Sequence, residues 1–454
     1  MTAPVILWYR QDLRLSDQAA LAAAAEEGPV VPVYILDDET PGDWRIGGAQ
    51  RWWLHHSLDT LDRTLRGSGS RLILRRGVAH EELATLAKQI GACRVHALRH
   101  YEPWWKKAEE AIGRTHDLCL HDGNYLSPPA NVLSGSHRRY RIFTPWWRAL
   151  KQHMPPEKPR RAPAHIPVPP KWPKSDRLSE LKLPPIKPDW AAGFGEGWIP
   201  GEQGAQAALD HFLPELENYE LVRNLPSQGG NSRLSPHLHF GEISPATVWY
   251  RCAAKAHAKA EPFLREVGWR DFSANVIDQF PDYGCRNGRD GYKVLWRTGE
   301  EAQADFDAWT KGRTGYPIVD AGMRQLWATG WMHNRVRMIA ASFLTKHLLI
   351  DWRRGARWFW DTLLDADYGN NSQNWQWVAG SGVDSNPFGR IMAPLAQSEK
   401  FDAADYIRRW VPELAKLNND VIHDPHGKGR TPKGYPEPLI GHRAGRERAL
   451  GATR

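Results

Sequence analysis

The segment TGWMHNRVRM (329–338) brings side chains of very different chemistry close together. On a helix, Trp331, Arg335 and Met338 stand at i, i+4 and i+7 and share one face. A metal site is not expected, because His333 has an arginine rather than a second ligand four positions later. Taken alone, the segment favours a core helix with a solvated arginine rim over a binding site.

The segment NSRLSPHLHFGEIS (231–244) places an amide, two hydroxyls and Arg233 directly before helical sequence. Free backbone N–H groups at the start of a helix can bind a phosphate or pyrophosphate. An ordinary capped helix is an equally good interpretation of this segment alone.

The segment DADYGNNSQNWQW (365–377) is predicted to be a loop, where binding residues often occur. Asp365 and Asp367 can accept hydrogen bonds from a ligand or pair with a cation, for which Arg337 is a natural candidate. Two solvated carboxylates at a helix cap are the alternative.

The segment REVGWRDF (265–272) places Glu266 and Trp269 three positions apart. A carboxylate beside an indole suits a flipped-out base, which needs both hydrogen bonds and stacking. The alternative is an exposed helical salt bridge between Glu266 and Arg270.

The composition narrows the class of protein. The chain has 454 residues, a net charge of +8 and 23 tryptophans. Its length suggests at least two domains, and the positive charge moderately favours an acidic partner such as nucleic acid. The four cysteines are too dispersed for a disulfide framework, a cysteine-rich zinc site or an iron–sulfur cluster. Without a signal sequence or a long apolar run, the protein is expected to be soluble and cytoplasmic.

The helices and strands that must position these residues are predicted to form two domains joined by a linker. Short β-rich runs alternate with helical stretches over residues 1–130, which predicts a doubly wound parallel sheet. Residues 131–200 are proline-rich and predict an interdomain linker. Residues 201–454 carry apolar residues at spacings of three and four, which predicts an all-helical domain. The predicted strands are 4–10, 29–36, 70–77 and 93–100. No GxGxxG motif follows the first of them, so the sequence does not support a dinucleotide site in this half.

Several motifs, taken in order, resemble those of the photolyase/cryptochrome family. They include LWYRQDLRLSDQAAL, RIFTPWW, NSRLSPHLHFGEIS, WRDF, GRTGYPIVDAGMRQLWATGWMHNRVRM and NWQWVAGSGVD, and they span nearly the full chain. The resemblance implies an N-terminal α/β antenna domain of Rossmann-like topology and a C-terminal all-helical domain that binds U-shaped FAD.

The same resemblance assigns roles to individual residues. Some would hold the phosphates and ribityl chain and others the two ring systems, with Asn371 facing flavin N5 and Arg337 pairing with Asp365. The residues expected to bind FAD are Tyr219, Asn231, Ser232, Arg233, Leu234, Ser235, Arg270, Asn334, Arg337, Asp365, Ala366, Asp367 and Asn371.

The resemblance also implies a lesion pocket and an electron-transfer chain. Trp375, Trp352 and Trp296 would carry electrons between a buried flavin and the surface. The expected catalytic residues are Glu266, Asn334, Trp269, Met338 and Trp377. The expected DNA-contacting residues are Glu266, Trp269, Arg270, Asn334, Arg335, Met338, Trp377 and Gln397.

Three functions follow from the resemblance. Repair of cyclobutane pyrimidine dimers (CPDs) is favoured for two reasons. The sequence resembles that of a bacterial photolyase from the branch near plant cryptochromes. It also has every residue that the family uses to bind the dimer, here Glu266, Trp269, Asn334, Arg335, Met338 and Trp377. A (6-4) repair enzyme would have a histidine at Asn334, and a signalling cryptochrome is the third interpretation. The expected cofactor is reduced FAD, with a folate or a deazaflavin as a possible antenna. The expected partner is damaged DNA of little sequence specificity, bound by a monomer.

Overall fold

The computed structural model describes residues 3–385 and 391–452. The N-terminal domain is built on a parallel sheet with strand order β3-β2-β1-β4-β5. The middle strand, β1, and its neighbour β2 are apolar along their whole length and fully buried, as expected for a sheet covered on both faces. The strands are β1 Val5–Tyr9, β2 Val30–Leu36, β3 Ile73–Arg76, β4 Arg94–Leu98 and β5 Asp117–His121.

The doubly wound sheet predicted from the sequence is confirmed, with one strand more than the sequence predicted. That additional strand, β5, lies at the edge of the sheet and pairs only with β4 within the described part of the chain. Its residues are at least partly exposed and its sequence, DLCLH, is short and mixed. Weak patterning of this kind is usual for an edge strand and explains why it was missed.

Helices cover both faces of this sheet, and two separate apolar cores lie on its two sides. Helix α2 is the longest of them and buries two adjacent tryptophans, Trp52 and Trp53. The helices of this domain are α1 Ala19–Glu27, α2 Gly48–Gly67, α3 Ala79–Ile90 and α4 Pro103–Gly113.

The proline-rich segment contains a helix, α5 (Phe143–Leu150), which the linker prediction did not include. Pro145 lies in its first turn, where a missing N–H does no harm. The rest of the segment runs along both domains: Asp17 donates its amide to the carbonyl of Arg160, and Trp198 donates its indole N–H to the carbonyl of Thr329. The boundaries at 130 and 200 stay predictions.

The C-terminal domain is helical, as predicted, and has its own extensive apolar core. A π-helical turn, Phe343–His347, continues directly from α13. The helices are α6 Glu202–Phe212, α7 Tyr219–Val222, α8 Ser235–His239, α9 Pro245–Ala256, α10 Glu261–Gln279, α11 Glu300–Thr310, α12 Pro317–Thr329, α13 Asn334–Ser342, α14 Trp352–Thr362, α15 Tyr368–Ala379, α16 Pro394–Lys400, α17 Ala404–Trp410, α18 Asn419–Ile422 and α19 His442–Ala452.

The two domains are joined by buried polar contacts, and those of Glu242 are one example. Its carboxylate, fully buried, accepts hydrogen bonds from the indole of Trp53 (2.9 Å) and the amide of Gly201 (2.7 Å), and it contacts His237 at 2.5 Å. Three distant segments therefore meet on one buried side chain, and their polar groups take the place of the water that it loses on folding.

All four cysteines are free. In residues 3–385 and 391–452, no helix combines the length and the apolar character needed to cross a membrane.

Candidate cofactor and substrate cavity

A cavity of about 500 Å³ opens in the helical domain between α7, α8, α10, α13 and α15. It brings together most of the residues that the sequence analysis selected, although they come from four segments far apart in the chain. The selected residues on its wall are Tyr219, Asn231, Ser232, Arg233, Leu234, Ser235, Glu266, Trp269, Arg270, Asn334, Arg335, Arg337, Met338, Asp365, Ala366, Asp367, Asn371, Trp375 and Trp377.

Helix α13 begins later than the sequence predicted. Gly330 adopts a left-handed φ of +66° and ends α12, and His333 caps α13 by accepting a hydrogen bond from the amide of Arg335 (3.1 Å). Trp331 therefore precedes the helix and does not share a helical face with Arg335 and Met338, although it still lines the cavity. The error arose because the apolar spacing continued through the turn.

His333 acts as a helix cap rather than a metal ligand. Burial, with the nearby charge of Arg337, lowers its pKa to about 4, so the ring is neutral and can accept a hydrogen bond near pH 7. Across residues 3–385 and 391–452 there is no cluster of three or more His, Cys, Asp or Glu side chains able to hold a metal ion.

The predicted ion pair between Arg337 and Asp365 is present and bidentate, with N–O distances of 3.0 and 2.9 Å. Burial would raise the pKa of Asp365, but the charge and hydrogen bonds of Arg337 outweigh it and the pKa lies below its usual value. The guanidinium also donates to the carbonyl of Met332 (2.7 Å), which fixes the end of the side chain. The pair is a rigid, charged part of the wall.

The segment 365–377 is mostly helical, so the loop prediction was wrong. Asp367 caps α15 and accepts a hydrogen bond from the amide of Asn370 (2.7 Å). Asn371 lies in the first turn and is buried. Its side-chain amide Nδ2 donates to the carbonyl of Ala356 (3.0 Å). The run of polar residues hid the helix because little of its face is apolar in type, even though most of it is buried.

Arg233 lies in the turn before α8, with a φ of +53°. Its guanidinium carbon is 4.0 Å from the ring centroid of Trp198 and 5.2 Å from that of Trp331. Among the described residues it has no carboxylate partner. An exposed cation held between two indoles on a cavity wall is suited to bind an anionic group of a ligand.

Glu266 forms an ion pair with Arg223 at 2.6 Å rather than the helical pair with Arg270 considered from the sequence. Arg270 instead donates to the carbonyl of Asn124, in the segment that follows β5. Arg223 lines the cavity and was not selected, because it lies 43 positions from Glu266 and no local spacing connects the two. Arg335, on the same rim, donates to Asn224 (2.7 Å).

Three selected residues lie away from the cavity wall. Trp352 is fully buried at the start of α14, and its indole N–H donates to Asn287 (3.2 Å). Trp296 is partly buried before α11, and Gln397 lies on α16. Trp375 itself faces the cavity and packs against Phe359, with ring centroids 5.0 Å apart.

A buried carboxyl group beneath the cavity ties the two domains together and leads to a pH prediction. Asp271 on α10 accepts hydrogen bonds from the amides of Leu126 (2.5 Å) and Ser127 (3.4 Å). Burial nevertheless raises its pKa to about 7. Between its ordinary pKa, about 4, and this value, the folded state binds one more proton than the unfolded state. The stability that Asp271 contributes is therefore lost as the pH rises through that window.

We expect Asp271→Asn, which cannot ionise, to gain stability relative to the wild-type protein as the pH is raised from 5 to 8, by a few kcal/mol. Urea unfolding of both proteins across this range measures the difference. Asp384→Asn, beside the start of α5, is the comparison: burial raises the pKa of that carboxyl only to about 6, so its gain in stability should be smaller. A difference that stays constant with pH would contradict the assignment.

The unpaired polar groups on the cavity wall fit a large polar cofactor. Both side-chain amide atoms of Gln373 and Nδ1 of His239 are buried without a hydrogen-bond partner among the described residues, and both residues line the cavity. Buried groups of this kind usually have a partner in the functional state. Together with five arginines, two aspartates and aromatic walls, they suit a ligand that has both anionic groups and flat rings.

Comparisons with known proteins agree with this description of the cavity. The family model described as "FAD binding domain of DNA photolyase" matches residues 263–454, which hold α10, α13 and α15. The family model described as "DNA photolyase" matches residues 5–167, which hold the parallel sheet.

Relatives and solved structures cover the whole chain. It is 47% identical over 473 residues to the deoxyribodipyrimidine photo-lyase of Agrobacterium fabrum, covering 99% of this chain and 98% of that protein. It is 34% identical to cryptochrome-1 of Arabidopsis thaliana over 96% of this chain and 68% of that protein. A crystal structure of a bacterial class III photolyase from Agrobacterium tumefaciens superposes with a TM-score of 0.93 at 47% identity, covering 100% of this chain and 97% of that one.

Proposed function

The chain belongs to the DNA photolyase family, and from that premise we propose how it carries out light-driven repair of cyclobutane pyrimidine dimers in DNA. It is a deoxyribodipyrimidine photo-lyase, and the observation that carries this conclusion is 47% identity to a photo-lyase of that name over almost the whole of both chains. Its substrate is damaged DNA, and its helical domain binds FAD. The roles of individual residues are proposals.

FAD fits the groups on the cavity wall. We propose that Arg233, presented between two indoles, binds the pyrophosphate, together with Ser232 and Ser235. The carboxylate of Asp365 and the unpaired amide of Gln373 suit hydrogen bonds to the ring systems. When bound, reduced and excited by light, FAD supplies the electron that splits the dimer and takes it back afterwards.

The lesion side of the cavity is formed by Glu266, Trp269, Asn334, Met338 and Trp377. Trp377 is 37% exposed, so its indole is available to a base that enters from outside. Two indoles and a methionine give flat and adaptable apolar surfaces for the two bases. Glu266 would hydrogen-bond to the dimer, while Arg335 on the rim would contact phosphate, which predicts binding that weakens with salt.

Illumination of the reduced protein with DNA that carries one defined dimer tests the function. We expect loss of the dimer under light and none in darkness. Intact reduced FAD without repair would contradict the conclusion and would favour a photoreceptor, the function suggested by the similarity to cryptochrome-1. A (6-4) lesion serves as a parallel substrate and should persist, because Asn334 offers no proton as a histidine would.

We predict that Glu266→Gln lowers the repair yield several-fold and leaves the FAD content unchanged. Glutamine keeps the size and can still hydrogen-bond, but it loses the charge and therefore the ion pair with Arg223. Repair per absorbed photon and the FAD absorbance measure the two effects. Glu261→Gln, an exposed residue paired with Lys151 at the start of the same helix, is the matched control. Equal repair yields in both variants would remove the proposed role.

An antenna pigment would enlarge the range of light that drives repair. A second cavity, of about 380 Å³, is lined by the segment that follows β4 and includes Arg99, Tyr101 and Lys106. We propose it as the position to examine for a folate or a deazaflavin; its two cations, Arg99 and Lys106, pair with Asp122 and Asp278 of the same cavity. Absorption bands beyond those of FAD in protein from its own host would identify which pigment is present.

We also propose that the protein acts as a cytoplasmic monomer. Gel filtration tests the oligomeric state.

A further inference from the structure

Helix α5 begins within the motif RIFTPWW (141–147), to which the proposed repair mechanism gives no role. Its first residue, Phe143, is 2% exposed and stacks directly on Trp269 of the cavity wall. The two ring centroids are 3.6 Å apart and the ring planes differ by 7°. One face of the Trp269 indole is therefore covered by α5.

The stack is held by contacts on each side of it. Trp147, one turn after Phe143, packs over Gly268, where a Cβ atom would lie 2.5 Å from the Trp147 ring. Only glycine at 268 allows α5 to approach α10 this closely. The amide of Phe143 donates to the carboxylate of Asp384 (3.1 Å), which fixes the start of α5.

The geometry of the stack needs this support. Aromatic pairs usually prefer offset or edge-to-face arrangements to a close parallel stack. Without α5, the partly buried Trp269 indole would be free to change rotamer, and lesion binding would bear the entropic cost of ordering it. With α5 in place, the plane of the indole is set before any DNA arrives.

We propose that Phe143 is a positioning residue for the lesion, which fixes the plane of Trp269 so that its indole can pack against a base of the dimer. The inference rests on the proposed function, because Trp269 needs a base to pack against. It gives the helix of the interdomain segment a direct part in substrate recognition.

Phe143→Leu tests the proposal, because leucine fills most of the space without providing a flat ring. We expect its affinity for an oligonucleotide with one thymine dimer to fall by roughly threefold to tenfold, the value of an aromatic pair. Affinity for the undamaged oligonucleotide and FAD content should not change. Phe194→Leu is the matched control: Phe194 is 1% exposed, contacts Trp52 and does not line the cavity. It should lose similar stability and keep its preference for the dimer.

A double-mutant cycle separates positioning from general destabilisation. In a Trp269→Leu background, Phe143→Leu should lower dimer affinity no further, because the indole that it positions is gone. The proposal is overturned by an undiminished dimer preference in Phe143→Leu or by additive losses in the double variant. A wild-type protein that does not prefer the dimer would instead contradict the proposed function, so the two failures are distinguishable.

Discussion

Blue light should no longer reduce oxidised FAD in Trp375→Phe, whereas the protein reduced beforehand should repair dimers at close to the wild-type yield. Trp375 is the selected electron carrier that reaches the cavity wall. Phenylalanine keeps an aromatic ring there but is far harder to oxidise than an indole. We expect the rate of photoreduction, followed by the FAD absorbance with an external reductant, to fall by more than an order of magnitude.

The control for this experiment is Trp8→Phe, in the parallel sheet. Trp8 is fully buried, and within residues 3–385 and 391–452 its indole N–H has no hydrogen-bond partner, so the substitution removes an indole without breaking a hydrogen bond there. It should leave photoreduction unchanged. If Trp375→Phe were reduced by light as quickly as this control, the electron would have to enter by another route, and the proposed order Trp375, Trp352, Trp296 would be wrong.

Asp365→Ala should produce a protein that purifies without FAD and is less stable by about 3–5 kcal/mol, the usual cost of removing one partner of a buried ion pair. Among the described residues, the substitution leaves the Arg337 guanidinium with the carbonyl of Met332 as its one remaining hydrogen-bond acceptor. Urea unfolding gives the loss of stability and the absorbance ratio of FAD to protein gives the loss of cofactor.

A double variant separates these two effects. Arg337→Met with Asp365→Leu replaces the pair by apolar side chains, which often restores the stability lost by breaking a buried pair. We expect stability to recover while FAD binding does not. Recovery of both would show that the pair only supports the fold, and full FAD retention in Asp365→Ala alone would exclude the carboxylate from the cofactor site.

The sequence predicted those parts of the fold that depend on the type of residue and its local spacing. The central strands were clear because VILWY and VVPVYIL are apolar throughout, as a doubly covered sheet requires. The two errors at the cavity have one physical origin. From the spacing of apolar residues, Trp331 was assigned to α13 and the residues after Asp367 to a loop. In the folded chain, tertiary burial rather than apolar periodicity decides where these two helices begin.

The cavity residues show the same limit. The motifs that resemble the family include the residues around the starts of α8, α13 and α15. These residues could be identified because each motif is continuous in the sequence. Arg223 and Gln373 were missed, one because its partner Glu266 is distant and the other because an isolated glutamine carries no signal. Only the folded chain reveals that both side-chain amide atoms of Gln373 are buried without a hydrogen-bond partner in the part of the chain that the structure describes.

The contacts of α5 also fix an order of events during synthesis of the protein. The sheet joins strands that are all complete by residue 121, so it can form while the rest of the chain is still being translated. The cavity wall, in contrast, needs Asp384, which is 241 positions from the amide that it holds at the start of α5. Pairings of such separation form late because a long loop must close first. FAD therefore has a finished binding site only when almost the whole chain has left the ribosome.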